Sequence, residues 1–136
     1  MFNVSTKSDY GFIVMLELAK QHKKGYVSLA QIARDKKLSA GYLVQLIQPL
    51  VKANLIVSKE GKGGGYALAK SPKAISMLAV LDALEGPTVL VKCLKHGTKQ
   101  CPGFEQCEAR KVWQILADET RKMLAKKTLA DLVRKI

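Results

Sequence analysis

Residues 39–70 read SAGYLVQLIQPLVKANLIVSKEGKGGGYALAK. Ser39 is placed to cap a helix whose apolar residues Leu43, Leu46, Ile47, Leu50 and Val51 recur at helical spacing, which leaves Tyr42, Gln45, Gln48 and Lys52 facing outward. Pro49, ten residues past the cap, has no N–H to give the carbonyl of Gln45 and predicts a kink. The helix gives way to a β-branched run, a turn containing Gly61, Gly63, Gly64 and Gly65, and a return segment in which Tyr66 and Leu68 alternate. That pattern is a β-hairpin.

Working upstream, Ser28 and Gln31 in SLAQIARDKKL have capping-box spacing for a short helix that buries Leu29, Ile32 and Ala33. The tight segment KKLS joins it to the helix opened by Ser39, so the two form a helix-turn-helix pattern. Before them, Tyr10, Ile13, Leu16, Leu18 and Ala19 give a first helix from Thr6 to about His22, closed by Gly25. A helix-turn-helix followed at once by a hairpin predicts a winged helix: a mainly α fold with a small β-hairpin wing.

The charge distribution names a partner class. The chain has 136 residues, 23 Lys and Arg against 11 Asp and Glu, and a net charge of +12. Eleven basic residues but only Asp35 and Glu60 fall between Lys20 and Lys73, so most of the excess lies on the helix-turn-helix and hairpin. Such a surface suits a polyanion, because each neutralised phosphate releases counterions. Double-stranded DNA is the expected partner, with Ser39, Ala40, Tyr42 and Gln45 at the start of the recognition helix and Lys62, Gly63 and Gly64 at the wing tip as the expected contacts. Tyr42 has the alternative of a partly buried aromatic.

Other classes fit less well. His22 and His96 are the only histidines, no serine or cysteine has an evident base and orienter, and the GGG tip lacks the Lys-Ser/Thr of a phosphate-binding loop, which argues against an enzyme. The N-terminal apolar run is interrupted by Glu17, and no segment approaches the ~20 apolar residues of a membrane span, so the expected location is the cytoplasm, with no membrane partner.

Beyond the hairpin the chain changes task. The expected organisation is one regulator domain, with a winged helix-turn-helix over residues 1–75, a connecting helix over 76–92, a cysteine loop over 93–107 and a dimerisation helix with a final short helix over 108–136. Ser76 caps the connecting helix, with Leu78, Leu81 and Leu84 as its apolar side. Val112, Trp113, Leu116, Thr120, Met123 and Leu124 form a stripe on the long C-terminal helix, wide enough for a second subunit, and a homodimer is what a pseudo-palindromic operator requires. Thr128 and Asp131 bracket a last capping box, whose helix is expected to fold back on the domain.

All three cysteines, Cys93, Cys101 and Cys107, stand in the loop CLKHGTKQCPGFEQCE. A reducing compartment disfavours disulfides, and three thiolates suit zinc, copper(I) or an iron-sulfur cluster; bare thiol sensing also remains open. A redox carrier would explain the loop but has no need of a helix-turn-helix and wing.

The succession STKSDYGF, VSLAQIA, LSAGYLVQLI, GKGGGYALAK, a three-cysteine loop, CEARKVW and TLADLV resembles the bacterial winged-helix regulators of the iron-sulfur cluster regulator family (IscR/NsrR-like) over essentially the whole chain. The resemblance implies a homodimer on a pseudo-palindromic operator and a 2Fe-2S or 4Fe-4S cluster held by Cys93, Cys101 and Cys107. It also marks departures. Val44 stands where the cluster-assembly regulator has a glutamate, Glu60 where relatives often have a wing arginine, and Lys62 in place of a proline. Arg110 occupies the position of that regulator's histidine ligand, and a guanidinium cannot coordinate iron. Two candidates for the fourth position are Asp9, which aligns with an acidic ligand of the nitric-oxide sensor but also has capping-box spacing from Thr6, and His96, three residues after Cys93.

Overall fold

A computed structural model describes residues 4–87, 93–94 and 101–136. Helix α1 (Thr6–Lys20) is capped by Ser5, whose Oγ accepts the Ser8 N–H at 3.1 Å. The expected Thr6–Asp9 capping box is not formed. Extended backbone at Ser5 takes the cap one residue earlier, and Asp9 instead donates its backbone N–H to the Ser5 carbonyl at 2.9 Å. The helix also ends two residues short of His22, at Lys20.

Helix α2 (Leu29–Lys36) starts at Ser28, which accepts the Gln31 N–H. Lys37 then takes a left-handed conformation with φ 55°, and Leu38 donates back to the Ala33 carbonyl at 2.8 Å, a tight reversal that leads into α3 (Ala40–Lys52). The helix continues through Pro49 to Lys52; Pro49 withholds its bond from the carbonyl of Gln45, an exposed residue.

The buried strip of α3 organises the core. Leu43, Leu46, Ile47 and Leu50 are each no more than 2% exposed and pack in one cluster with Val14, Met15 and Leu18 of α1, Ile32 of α2 and Ile56 beyond α3. Burying a side chain of this kind contributes about 1.5–3 kcal/mol, which outweighs any single surface contact on the opposite face.

Strands β1 (Ile56–Lys59) and β2 (Gly65–Leu68) pair antiparallel from Ile56 opposite Leu68 to Lys59 opposite Gly65. The expected wing is therefore present. It has one fastening that periodicity did not predict: Val27, just before α2, exchanges two backbone hydrogen bonds of 2.8 Å with Tyr66. Gly65 is required by this approach, because a Cβ there would lie 2.4 Å from the Val27 oxygen and its φ is +140°.

After a 3₁₀ turn at Pro72–Ala74, α4 (Met77–Glu85) begins at the Ser76 cap. Its fully buried positions are Val80 and Leu84, whereas Leu78 and Leu81 are half-buried. Helix α5 (Glu108–Lys126) packs on α4, and α6 (Leu129–Val133) folds back against α1. The Thr128–Asp131 capping box forms in both directions, at 3.3 and 3.1 Å. Backbone bonds from Met77 to Lys127 and from Leu129 to Ile75 join the starts of α4 and α6, and Leu129 is fully buried.

Two of the three wing glycines with positive φ, Gly65 and Gly63, give a direct check of this packing. Gly65→Ala is expected to lower unfolding free energy by about 2–3 kcal/mol in urea titration, from strain and the Val27 clash. Gly63→Ala, where φ is +74° but no atom lies within 4 Å of the new Cβ, should cost only about 1 kcal/mol. Equal losses would contradict the Val27 fastening.

Candidate nucleic-acid interface and cysteine loop

Burying one side of α3 presents the other. Ser39, Ala40, Val44, Gln45 and Gln48 are exposed, and Ser39 spends its Oγ on the Tyr42 N–H at 3.3 Å as the helix cap. Tyr42 is placed differently from the outward position expected of it. Its ring is half-buried and meets Tyr10 edge-on, with centroids 5.6 Å apart and planes at 80°, so it braces α3 against α1. Sequence spacing puts Tyr42 one residue before Leu43 at the rim of the apolar strip, and only the position of Tyr10 decides which way it leans.

At the wing tip Lys62 and Gly63 are exposed and Gly64 is half-buried. Gly64 is close to the backbone, since a Cβ there would lie 2.2 Å from the Lys59 oxygen. The Lys59 ammonium sits 5.7 Å from the Tyr26 ring centroid, a contact with no signal in sequence because the partners belong to distant segments. Behind the wing lies a groove of about 430 Å³ that includes Glu17, Gln31, Asp35, Gly63 and Gly64. Burial works against ionised Glu17, but hydrogen bonds from Lys20 and Lys36, both at 3.0 Å, outweigh it and hold the carboxyl below its ordinary value. The Lys36 pair also ties α2 to α1.

The cysteines occupy different settings. Cys101 is exposed, and Cys93 and Cys107 are half-buried. Cys107 is the N-cap of α5, its Sγ accepting the Arg110 N–H at 3.4 Å. The Arg110 guanidinium lies 4.1 Å from the Phe104 ring centroid, and its Nε is buried without a hydrogen-bond partner. Asp9 is exposed on the first turn of α1. His96 lies outside the described residues. Among the described residues no three His, Cys, Asp or Glu side chains converge on one point. As a donor set, three thiols fit a soft metal or an iron-sulfur cluster.

The helix that follows is held by little. Ala117 is its one buried residue among those described, and Arg121 makes two 3.1 Å bonds to the carboxylate of Asp82 on α4. Val112, Trp113, Leu116 and Met123 of the expected stripe are exposed, joined by Ile115, while Thr120 and Leu124 are half-buried. At the other end of α4, Glu85 accepts hydrogen bonds from Ser8, at 2.6 Å, and from Ser5. None of the described helices is long and apolar enough to cross a membrane.

A helix with an exposed polar face beside a glycine-tipped hairpin defines a winged helix-turn-helix transcriptional regulator. A family model described as Rrf2, iron-dependent transcriptional regulator, matches residues 4–135, and the chain belongs to that family. It is 39% identical over 129 residues to the HTH-type transcriptional regulator CymR of Bacillus subtilis, covering 95% of this chain and 88% of the relative. It is 35% identical over 130 residues to IscR of Erwinia tasmaniensis, covering 96% of this chain and 78% of the relative. Among solved structures it superposes on CymR, the global cysteine regulator of B. subtilis, with a TM-score of 0.82 at 37% identity, covering 100% and 99% of the two chains. On T. potens IscR the TM-score is 0.78 at 34% identity, covering 98% and 88%. The family resemblance and the winged-helix fold expected from the helix-turn-helix and the hairpin after it both hold.

The contrasting placements of Tyr42, half-buried against Tyr10, and Gln45, exposed, predict different costs of truncation. Tyr42→Ala should reduce stability by about 2 kcal/mol in denaturant unfolding, through lost packing and the Tyr10 edge contact. Gln45→Ala should change it by less than about 0.5 kcal/mol.

Proposed function

We propose that this Rrf2-family regulator is a cytoplasmic homodimer that binds a pseudo-palindromic DNA operator and senses redox, nitric-oxide or iron-sulfur status through Cys93, Cys101 and Cys107. The observation that carries the sensing half is the position of Cys107. It caps the helix that presents the open apolar face, so chemistry at this sulfur acts at the root of the proposed dimer contact. The DNA half rests on the exposed face of α3 and the wing tip, with Ser39, Ala40, Gln45, Lys62, Gly63 and Gly64 near the duplex and Tyr42 contributing at the rim.

In this reading the three thiolates hold an iron-sulfur cluster, which supplies a redox- and ligand-sensitive centre when bound. Asp9 remains the preferred fourth donor, offered from a partner subunit, and His96 the local alternative. Arg110 is committed to Phe104. A second reading, thiol-based regulation without a cluster, is favoured by the likeness to a protein described as a cysteine regulator.

Absorption spectra with iron and sulfide analysis of anaerobically purified protein test the cofactor. Visible absorption with matching iron and sulfide supports a cluster; colourless protein with stoichiometric zinc, or metal-free protein whose DNA affinity responds to thiol oxidation, overturns it. Leu116→Glu tests the dimer, because a charge on the apolar stripe should shift sedimentation from dimer to monomer with helix content retained. A variant that stays dimeric would place the interface elsewhere.

A further inference from the structure

Helix α3 carries information about which bases it reads. From Ala40 to Val51 it contains no lysine or arginine, the side chains that pair with guanine, and no aspartate or glutamate, the acceptors for the cytosine amino group. Its exposed face offers Val44, Gln45 and Gln48. Val44 and Gln48 are one turn apart, and Gln45 and Gln48 three residues apart, so the three share one surface patch. A glutamine amide matches the N6 and N7 edge of adenine, and an apolar side chain matches the 5-methyl group of thymine; an A·T pair shows both in the major groove.

Val44 is out of keeping with the rest of the helix. It is 48% exposed, whereas Leu43, Leu46, Ile47 and Leu50 are no more than 2% exposed. It makes no part of the core, and a β-branched residue has no propensity advantage at an exposed helical site. The basic residues flanking α3 supply a phosphate-binding surface on which such a face would rest.

We infer that α3 reads A·T base pairs, with Val44 packed on the 5-methyl group of a thymine and Gln45 and Gln48 recognising adenine. This rests on the DNA-binding reading above and adds the base class and the discriminating residue.

The test uses the full-length protein and a pool of random-sequence duplexes. Sequences retained by the protein should carry A·T pairs at the half-site positions under α3. In one selected duplex each thymine of a half-site is then replaced in turn by uracil, which removes only the methyl group. One replacement should weaken wild-type binding about fourfold, the equivalent of one buried methyl group, and should leave Val44→Ala unaffected. Val44→Glu, selected from the same pool, should move the preference at that position towards cytosine. Val44 lies outside the core, and circular dichroism checks that each variant is folded. Retained duplexes with G·C pairs at those positions, no sequence preference, or an equal uracil effect in wild type and Val44→Ala overturns the inference alone. Binding to no duplex overturns the DNA-binding reading with it.

Discussion

The apolar strip of α3 is the constraint on which the rest depends. Leu43, Leu46, Ile47 and Leu50 lie on the side of α3 that packs with α1, α2, α4 and β1, so the helix cannot rotate about its axis without exposing several buried side chains at about 1.5–3 kcal/mol each. Fixing that rotation fixes which residues face out. The same strip brings the chain at Leu55 and Ile56 into the core, and Val27 then holds the returning strand through Tyr66. Helix face and wing are consequently set by one packing arrangement joined by two backbone bonds.

Helix α4 stands between this assembly and the cysteine segment. Its end is tied to α1 through Glu85 and the serines Ser5 and Ser8, and its middle to α5 through Asp82 and Arg121. Helix α1 in turn braces α3 through Tyr10 and Tyr42. Cys107 caps α5, and α5 packs on α4. These contacts run from α5, whose one buried residue among those described is Ala117, through α4 and α1 to the proposed interface on α3. Ser8, a buried polar residue, has its hydroxyl satisfied by the Glu85 carboxylate, which makes the α1–α4 junction specific as well as close.

Much of this was legible in the sequence where local chemistry decides it. The caps at Ser28, Ser39, Ser76 and Thr128 stood at their spacings, the hairpin was written in its glycines, and the α3 strip followed from periodicity. Decisions between competing neighbours were less legible. Ser5 and Thr6 are both competent caps, and the choice of Ser5 removed the capping role expected of Asp9. Contacts between distant segments left no local signal: Val27 with Tyr66, Glu85 with Ser8, and Tyr10 with Tyr42 depend on the tertiary arrangement. The cysteine segment was legible as chemistry, since three thiols in fifteen positions are visible without a structure. Its geometry was not, because ligand spacing in a loop does not fix how the sulfurs converge.

The distribution of charge within the helix-turn-helix and wing is uneven. Basic residues stand before α3 at Lys36 and Lys37, in its last turn at Lys52 and after it at Lys59 and Lys62, while the outward face from Ser39 to Gln48 is uncharged. Phosphate contacts position a protein and supply salt-dependent affinity without sequence information, whereas groups facing base edges supply discrimination. In the proposed function, a shift of α5 that alters the separation of two recognition helices changes how many phosphates each subunit reaches. The glutamine and valine contacts, being short-ranged, would then be made in full or lost together. A change in affinity of about 1–3 kcal/mol, the usual scale of allosteric coupling, is available from the phosphate contacts alone. In that proposal the uncharged face of α3 sets which bases are preferred wherever the helix is docked, and the phosphate contacts set how tightly it docks.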